Sequence, residues 1–535
     1  MKQKSLILMS TLLVCSLESF AQSDVEKNDS IWKDFDLASV TVVASKPLVK
    51  METDKMTYNV QQDADAKAST VLDMLRKVPM VTVDGQDNIT VNGSSSFNVY
   101  VDGKPNPMFS ANPSQIFKAM PATMVKNIEV ITNPGAKYDA EGTGGVLNIV
   151  LNKQAVNGAG GNDFSNGYNG NISAAVGNQT QRISAFISGQ QGKLTYSANG
   201  MYNHQRMNGT TISFDRFQKD GCTMNYYQNS DMKQPFSMGN ISLSYELDSL
   251  SNISATAGLI TFNQKITGHP LTKMTGGIYG KGFEYDNEMK QNLGNTSFNG
   301  SIDYQRFFNK ERTNYLILSY LFSTNPSHTD NYTFYDDISH VTALQLNDLL
   351  SKSKMRGTEH TFQADFTHSL SATQRLNFGA KYIARINRSD SRYYDVAADK
   401  TETLNPANSM EYKNTQNILA AYAEWKGNFG KIGTMLGTRY EQTWEKVKFE
   451  QGKGDNFDKD YGNLVPSASI SYAIAPGMNL GVNYSMRITR PGITYLNLCT
   501  EYDGKGASAP DQPHTHLEIR QHQEAIPKGE IQHQK

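Results

Sequence analysis

The amino-acid sequence predicts a membrane β-barrel, antiparallel and incomplete, that follows a small α+β domain. Three observations predict it: a short apolar leader, segments beyond residue 167 in which apolar and polar residues alternate, and links between those segments that are short and long in turn. The chain has 535 residues, enough for more than one domain. Its net charge of −1 excludes a general attraction to nucleic acid or acidic lipid.

The mean hydropathy of the chain is −0.52, which by itself is compatible with a water-soluble protein. No apolar run after the first twenty residues is long enough for a membrane helix. A transmembrane barrel needs only every second residue to be apolar, so its mean hydropathy can stay low. Composition therefore leaves both classes open.

The N-terminus has the features of a secretory signal peptide. Lys2 and Lys4 precede a mostly apolar run over 6–17, and Ser19-Phe20-Ala21 offers a cleavage site. The apolar run is too short to span a bilayer. We therefore expect residues 1–21 to be removed on export.

Residues 22–46 form a polar lead-in that ends in a short β-prone run. This run is either the first strand of the next domain or a segment that pairs with the sheet edge of a partner. The sequence leaves these two interpretations open. The run consists of Leu37, Ala38, Ser39, Val40, Thr41, Val42, Val43 and Ala44.

Residues 47–153 are predicted to be a compact α+β domain. Ser69 or Thr70 can cap a helix that stops before Pro79, and a second helix is expected over 113–120. The β-prone, turn-bounded runs predict strands at 81–83, 89–91, 97–101, 125–132 and 146–151. We interpret the glycine-rich stretch before the last strand as a tight turn. Its glycines are Gly142, Gly144 and Gly145.

A glycine-rich boundary leads into a predicted partial barrel over 167–497. Apolar residues occupy every second position in several segments, such as 241–247, 376–385, 467–474 and 480–489. Such a period of two gives a strand one apolar and one polar face. These segments are about ten residues long, which suffices to cross a bilayer when a strand is tilted.

The links between these segments favour a barrel over a soluble β-sandwich. Short links are expected at 190–192, 248–252, 309–312, 371–374, 428–431 and 475–477, and long polar links at 209–235, 325–358 and 387–415. Bacterial outer-membrane barrels have short periplasmic turns and longer extracellular loops. A sandwich has no reason to sort its loops in this way.

The predicted barrel lacks its last strands. We count about 13 strands, whereas single-chain barrels of this kind have even numbers. An unpaired strand edge in lipid is very costly. Residues 498–535 lose the alternation and are rich in Gln, His and Pro. We expect this atypical tail to result from a frameshift or truncated gene; the alternative is an unusual natural extracellular loop.

Two motifs carry a resemblance to a known family. Residues 128–150 match a plug-domain ending almost residue for residue, and 99–104 also match plug sequence. The plug motif comprises Asn133, Pro134, Gly135, Ala136, Lys137, Tyr138, Asp139, Gly142, Gly144 and Gly145. The barrel motif comprises Arg490, Pro491, Leu496 and Asn497. On these residues the chain resembles the TonB-dependent outer-membrane receptors, in particular the shorter Bacteroidetes β-barrel type. The resemblance covers about 37–497.

The resemblance implies energised import across the Gram-negative outer membrane. A complete barrel would have about 22 strands and a lumen wide enough to need a plug. Residues 37–44 become a candidate TonB box, and the expected partners are TonB with its inner-membrane energising complex, membrane lipid and a nutrient. We expect no nucleic acid, cofactor or metal. Ferric siderophores, haem, glycans and peptides all remain open as ligands.

Three other functions fit the sequence less well than import does. A non-transporting receptor or adhesin would have no use for a removable plug, and a truncated chain could be defective. An enzyme in a barrel is least expected, because His204, His328, His360 and His368 lie in no catalytic context. His514, His516, His522 and His533 match no metal-site spacing, and neither do Cys222 and Cys499. The abundance of Tyr and Phe in the barrel fits interfacial girdles. Aromatic carbohydrate binding in loops, with Trp425 and Trp444 as the candidates, is the less expected alternative.

Overall fold

A computed structural model describes most of the chain from residue 48 to residue 490. The described residues are 48–52, 55–85, 87–95, 97–106, 109–110, 113–140, 145–151, 167–218, 221–335, 347–397, 399–452, 454–475, 478–488, 490 and 521–526. The expected signal peptide and TonB box lie outside them, as do Gly142, Gly144, Pro491, Leu496 and Asn497. The chain divides into residues 1–46 and 47–535, and the second unit is the subject of this section.

The first part of this unit is the expected α+β domain. A six-stranded sheet has the order β1-β2-β7-β8-β5-β6, and β5 and β8 are parallel neighbours. A separate hairpin joins β3 to β4. The strands are β1 (Val49–Met51), β2 (Met56–Asn59), β3 (Val81–Val83), β4 (Ile89–Val91), β5 (Asn98–Val101), β6 (Lys104–Pro105), β7 (Val125–Ile131) and β8 (Val146–Leu151). All five predicted strands are present.

Two helices pack on this sheet, as the sequence predicts. Helix α1 (Val71–Leu75) begins with a capping box: the Thr70 side chain accepts from the backbone N–H of Asp73, and the Asp73 carboxylate accepts from Thr70. Such a cap satisfies N–H groups that the first helical turn leaves unpaired. Helix α2 covers Pro113–Ala119. Both helices bury their apolar side chains in one core shared with the sheet.

The second part is one large antiparallel sheet. From β9 to β22 each strand pairs with the next one in the chain, except that β15 and β16 each pair with β14 and β17 instead of with each other; β23 pairs with β22. The strands are β9 (Gly167–Val176), β10 (Thr180–Gln191), β11 (Leu194–Phe217), β12 (Thr223–Asp248), β13 (Ser251–Thr275), β14 (Phe283–Phe307), β15 (Tyr315–Thr324), β16 (Ser327–Tyr335), β17 (Leu349–Ser369), β18 (Gln374–Val396), β19 (Glu402–Phe429), β20 (Ile432–Gln451), β21 (Phe457–Ala475), β22 (Met478–Ile488) and β23 (Gln521–Ile526).

Over the described residues the sheet has 14 strands from β9 to β22, or 13 crossings when β15 and β16 count as one, in agreement with the prediction of about 13; β23 adds a further strand from the tail after residue 497. Strands β15 and β16 both pair with β14 and with β17, so they form one crossing interrupted at Asn325 and Pro326. A proline cannot donate a ladder hydrogen bond, which explains the interruption. Within the described residues β9 and β23 are the two ends of the sheet and do not pair with each other. The barrel is therefore incomplete over the described part of the chain.

The outer face of this sheet is apolar, as the alternation predicts. Large apolar side chains project from it at every second position, and their exposure shows that no protein covers them. Such a face is stable only against lipid. Examples on four strands are Ile241, Leu243 and Tyr245, Phe378 and Tyr382, Ile470 and Tyr472, and Leu480 and Val482.

The three predicted long links are all shorter in the structure than the sequence predicts. Residues 209–235 and 387–415 are mostly paired strand, and only 218–222 and 397–401 separate β11 from β12 and β18 from β19. Of 325–358, only 336–348 separates β16 from β17, and part of it lies outside the described residues. The strands continue past the membrane as polar hairpins. Alternation disappears there because a strand surrounded by water needs no apolar face.

The alternation also predicts that two apolar side chains near the end of β22 face outward, and this prediction is wrong. Met486 and Ile488 are buried and cluster with Ala140 of the first domain and Val465 of β21. The Ile488 backbone N–H donates to the Ala140 carbonyl at 2.9 Å. The end of β22 thus packs against the domain in the lumen. No helix among the described residues is long and apolar enough to cross a membrane.

Candidate functional site

The candidate site is the contact between the loop after β7 and the inner wall of the barrel. This loop holds most of the plug motif, and its backbone enters a polar region lined by β17 to β21. Ile131 and Val146, at the ends of β7 and β8, cluster with Tyr100 and fix the base of the loop. Gly145 has a φ of +88°, and a Cβ there would lie 2.5 Å from the Ile131 carbonyl oxygen. Only glycine fits this turn.

Gly135 and Ala136 make the closest backbone approach to the wall. The Ala136 N–H donates to the Glu424 carboxylate at 3.0 Å, and Asn377 donates to the other oxygen of that carboxylate at 3.0 Å. A Cβ on Gly135 would overlap a Glu424 carboxylate oxygen. The buried carboxylate is thus held between the plug loop and β18, and any side chain at residue 135 would have to displace it.

Asp139 is the electrostatic centre of the contact. Its carboxylate accepts from Lys381 Nζ at 2.7 and 2.9 Å, and Arg439 Nη2 lies 3.4 Å away. The side chains of Lys381 and Arg439 are only 4% and 1% exposed. Burial alone would raise the pKa of Asp139, but these two cations hold that pKa well below its ordinary range. The carboxylate is therefore ionised at any physiological pH.

The ion pairs continue from Asp139 to the barrel motif. Arg439 Nε lies 2.6 Å from Glu441 Oε1, and Arg490 Nη2 lies 2.5 Å from Glu441 Oε2. Arg490 also donates to the Thr443 hydroxyl at 3.3 Å. The structure thus joins the two predicted motifs through one network, a connection that the sequence analysis did not predict. We call Asp139, Lys381, Arg439, Glu441 and Arg490 the lumen ion network.

The remaining motif residues that the structure describes surround this network. Asn133 is buried and its amide donates to the Ala468 carbonyl at 3.4 Å. Lys137 Nζ lies 3.8 Å from Asp365, which also accepts a hydrogen bond from Tyr422. Tyr138 packs against Tyr100, and burial raises the pKa of the Tyr100 phenol well above its usual value. Pro134 lies between Asn133 and the close approach at Gly135.

A second contact forms at the opposite side of the plug sheet. Lys104, the first residue of β6, contacts Ser301 and donates to Asp303 at 2.6 Å, both on β14. The apolar core of the plug domain also continues into inward residues of β11 to β13. These include Met201, Phe236, Met238, Ile260 and Phe262. Over the described residues the plug is therefore held by apolar contacts with β11 to β13 and with the ends of β21 and β22, and by charged contacts at both ends of its sheet.

Four of the histidines and both tryptophans singled out in the sequence lie in strands of the barrel. His204 lies in β11, His328 in β16, and His360 and His368 in β17. Trp425 and Trp444 lie in β19 and β20, not in loops. Among the described residues no group of three or more His, Cys, Asp and Glu could hold a metal ion. Cys222 is buried, and its thiol donates to the Gly276 carbonyl at 3.6 Å.

Sequence reasoning missed the barrel partners of the plug motif. Lys381, Glu424, Arg439 and Glu441 occupy the polar side of alternating strands, where charged residues are ordinary. The spacing of Arg439 and Glu441 places both on one face, which is the only signal the sequence holds. The pairing of Arg439 with Asp139, 300 residues away in the chain, follows from the placement of the plug in the lumen.

Two family models match the chain in the order of these two parts. The TonB-dependent Receptor Plug Domain matches residues 49–146, and the Outer membrane protein beta-barrel family matches residues 306–504. Together they cover more than half of the 535 residues. No curated protein sequence matches the chain significantly.

Two solved structures that match the chain have low sequence identity to it. The unliganded ferric citrate transporter FecA is 12% identical with a TM-score of 0.51, and the match covers 83% of this chain and 64% of that one. The ferric preacinetobactin receptor BauA from Acinetobacter baumannii is 10% identical with a TM-score of 0.47, covering 83% and 64% of the two chains.

The chain thus spans less than two thirds of each of these proteins. The FecA likeness supports the fold of a plug domain with a barrel, a fold of receptors and transporters rather than enzymes. The two matched families place it in the Gram-negative outer membrane. With a plug model, a barrel model and a plug motif seated against the barrel wall, the chain belongs to the TonB-dependent receptors.

Proposed function

We propose that this protein imports a scarce nutrient through its barrel, using energy transmitted by TonB from the inner membrane. The observation that carries the proposal is the lumen ion network, which holds the plug loop against the wall through charges. Separating buried charges is costly unless they regain water or new partners. A polar lumen supplies both, so a pull on the plug can exchange this contact for hydration and later restore it.

The proposed point of attachment for TonB is the β-prone run at residues 37–44. Strand addition obtains its affinity from backbone hydrogen bonds, which suits a segment without a distinctive side-chain pattern. We further propose the domain boundaries given above: signal peptide 1–21, N-terminal segment 22–46, plug 47–153, partial barrel 167–497 and atypical tail 498–535. Absence of enzymatic activity belongs to the same proposal.

A ferric chelate is the first ligand class to test. FecA is named as a ferric citrate transporter and BauA as a ferric preacinetobactin receptor. Haem, glycans and peptides remain alternatives. The extracellular hairpins of this chain would contact the ligand, and the names of the two relatives say nothing about those hairpins. Membership of the Bacteroidetes type also stays a prediction.

Uptake of ⁵⁵Fe bound to citrate and to catecholate and hydroxamate siderophores tests the proposal. The full chain and a variant lacking residues 37–44 are compared in cells with and without TonB. A matched control lacks residues 22–29 of the polar lead-in. We expect uptake of at least one chelate by the full chain and the control, lost without TonB or without residues 37–44. Uptake that persists without TonB would contradict energised import.

A further inference from the structure

Four cations stand side by side on the outer face of the barrel. Arg356 of β17 is the direct cross-strand partner of Arg388 on β18, Arg388 is the partner of Lys413 on β19, and Lys413 is the partner of Lys448 on β20. We call these four residues the basic row. Direct cross-strand neighbours have Cβ atoms about 5 Å apart, and like charges at such positions are destabilising. A counter-charge would remove this cost.

The basic row points away from the lumen. Its chain neighbours Ser389, Asn414 and Val447 are 4%, 5% and 0% exposed and face inward. Side chains alternate along a strand, so the residues beside them face outward. Arg356, Arg388 and Lys448 are exposed, and Lys413 is half-buried.

The row lies immediately beyond the lipid-facing band, on the side of the long hairpins. Trp444, four residues before Lys448 on the same face, is 42% exposed, and Leu419 and Tyr382 project below it. Arg356 is twelve residues from His368, which lies near the short-turn end of β17. With a rise of about 3.3 Å per residue and a strand tilt near 40°, these twelve residues span roughly 30 Å along the membrane normal. The apolar band of such a barrel is only about 25 Å tall, so Arg356 lies beyond its outer edge. The row is therefore at headgroup height in the outer leaflet.

Three acidic side chains near the row lie on its far side from the lipid, and Asp458, on the lipid side, pairs with Lys446 at 3.4 Å. Asp390 and Glu411 are cross-strand partners in the next row outward, and Glu450 is beside them. Asp390 already pairs with Arg392 at 2.9 Å. Within the described part of the chain none of the four cations forms an ion pair. A cavity of about 740 Å³ opens beside them, lined also by Thr296 and Ser327.

We propose that the basic row binds the phosphate groups of a phosphorylated glycolipid of the outer leaflet. The row crosses four strands, a span of about 15 Å at 4.8 Å per strand. This span suits a disaccharide with a phosphate at each end, since Arg and Lys bind phosphate by charge and hydrogen bonds. The hydroxyls of Thr296 and Ser327 in the cavity suit sugar hydroxyls. A phospholipid offers a single phosphate and fills less of the row.

Binding of bisphosphorylated lipid A to the full chain in detergent micelles tests the proposal. One variant carries Arg356→Gln, Arg388→Gln, Lys413→Gln and Lys448→Gln. The matched control removes four cations near the short turns: Lys193→Gln, Lys310→Gln, Arg375→Gln and Lys431→Gln. A third variant, Arg356→Lys with Arg388→Lys, keeps the charge. Native mass spectrometry measures lipid affinity, and the mobility shift on heating in detergent gels reports the folded barrel.

We expect the basic-row variant to lose at least about tenfold in affinity, because each cation near an anionic surface contributes measurably to binding. The control and the Arg→Lys variant should bind within about threefold of the parent. Equal affinity of the basic-row variant and the control would overturn the proposal. Equally tight binding of phosphatidylglycerol, or displacement by inorganic pyrophosphate at the lipid's own concentration, would overturn the assignment to a glycolipid. If the fourfold variant does not fold, Arg388→Gln with Lys413→Gln answers the same question.

Discussion

Replacing Asp139 with Asn should release the plug loop from the barrel wall. Asp139 receives two hydrogen bonds from Lys381, whose side chain is 4% exposed, and lies 3.4 Å from Arg439. Arg439 keeps Glu441 at 2.6 Å in the variant, so Lys381 is the cation left without a carboxylate. Breaking a buried ion pair costs about 3–5 kcal/mol. Because Asn can still accept one hydrogen bond from Lys381, we expect the lower value, about 3 kcal/mol.

Hydrogen exchange of the loop amides measures this loss. The Ala136 N–H donates to Glu424 at 3.0 Å, and the Tyr138 N–H donates to the Gly135 carbonyl at 3.0 Å. Since about 1.4 kcal/mol corresponds to a factor of ten, exchange in peptides covering 133–140 should accelerate about 100-fold. Amides in β18 to β20 should exchange as in the parent.

A matched control separates this effect from the loss of any plug carboxylate. Asp65 pairs with Lys77 at 2.5 Å, but its side chain is 68% exposed. Exposed ion pairs contribute about 1 kcal/mol or less, so Asp65→Asn should change loop exchange little. Loop exchange in Asp139→Asn within about threefold of the parent, with an intact barrel, would refute the reasoning that this ion pair holds the loop.

Three further predictions follow from the same contacts. Gly135→Ala should lower the thermal midpoint of the plug, at a cost of about 1–3 kcal/mol, because the new methyl group displaces the Glu424 carboxylate; an unchanged midpoint would contradict this packing. Thr70→Ala should destabilise the plug by about 1 kcal/mol in urea through loss of the helix cap, whereas Ser69→Ala should not. The folded pKa of Asp139 is depressed, so its contribution is complete above the ordinary Asp pKa of about 3.9 and is lost only as the pH falls below it. Loop exchange at pH 7 and pH 5, corrected for intrinsic rates, should therefore give equal protection, and a loss of protection by pH 5 that Asp139→Asn abolishes would contradict this assignment.

The sequence predicted local structure well where one short-range signal dominates. Thr70 caps the first helix as expected, because a capping box needs only residues three positions apart. Ile241, Leu243 and Tyr245 face lipid as expected, because alternation fixes the face of a strand.

The errors have two physical causes. Residues 209–235 were expected as a link because alternation was used to detect strands, and strands in water do not need it. Met486 and Ile488 follow the alternation but end against Ala140, a contact that depends on where the plug sits. The pairing of Asp139 with Lys381 has the same origin, since no local pattern encodes a contact between two separately folded parts.

The proposed import requires that the plug loop leave the wall for a nutrient to pass. A reversible cross-link between loop and wall tests this requirement directly. A Cβ built on Gly437 lies 3.1 Å from the Ala136 Cβ, and a shift of a few tenths of an ångström brings the two atoms to the separation of about 3.5–4.5 Å found in a disulfide. Ala136→Cys with Gly437→Cys, in a background of Cys222→Ser and Cys499→Ser, should therefore cross-link loop to wall on oxidation. Each single Cys variant serves as the control.

The measurement is ⁵⁵Fe-chelate uptake by cells carrying the double Cys variant, before and after oxidation and again after reduction. We expect TonB-dependent uptake with the thiols reduced, loss of uptake with the disulfide formed, and recovery on reduction, while the single variants do not respond. Undiminished uptake with the disulfide fully formed would contradict the account, as would failure of every chelate to enter cells with the thiols reduced.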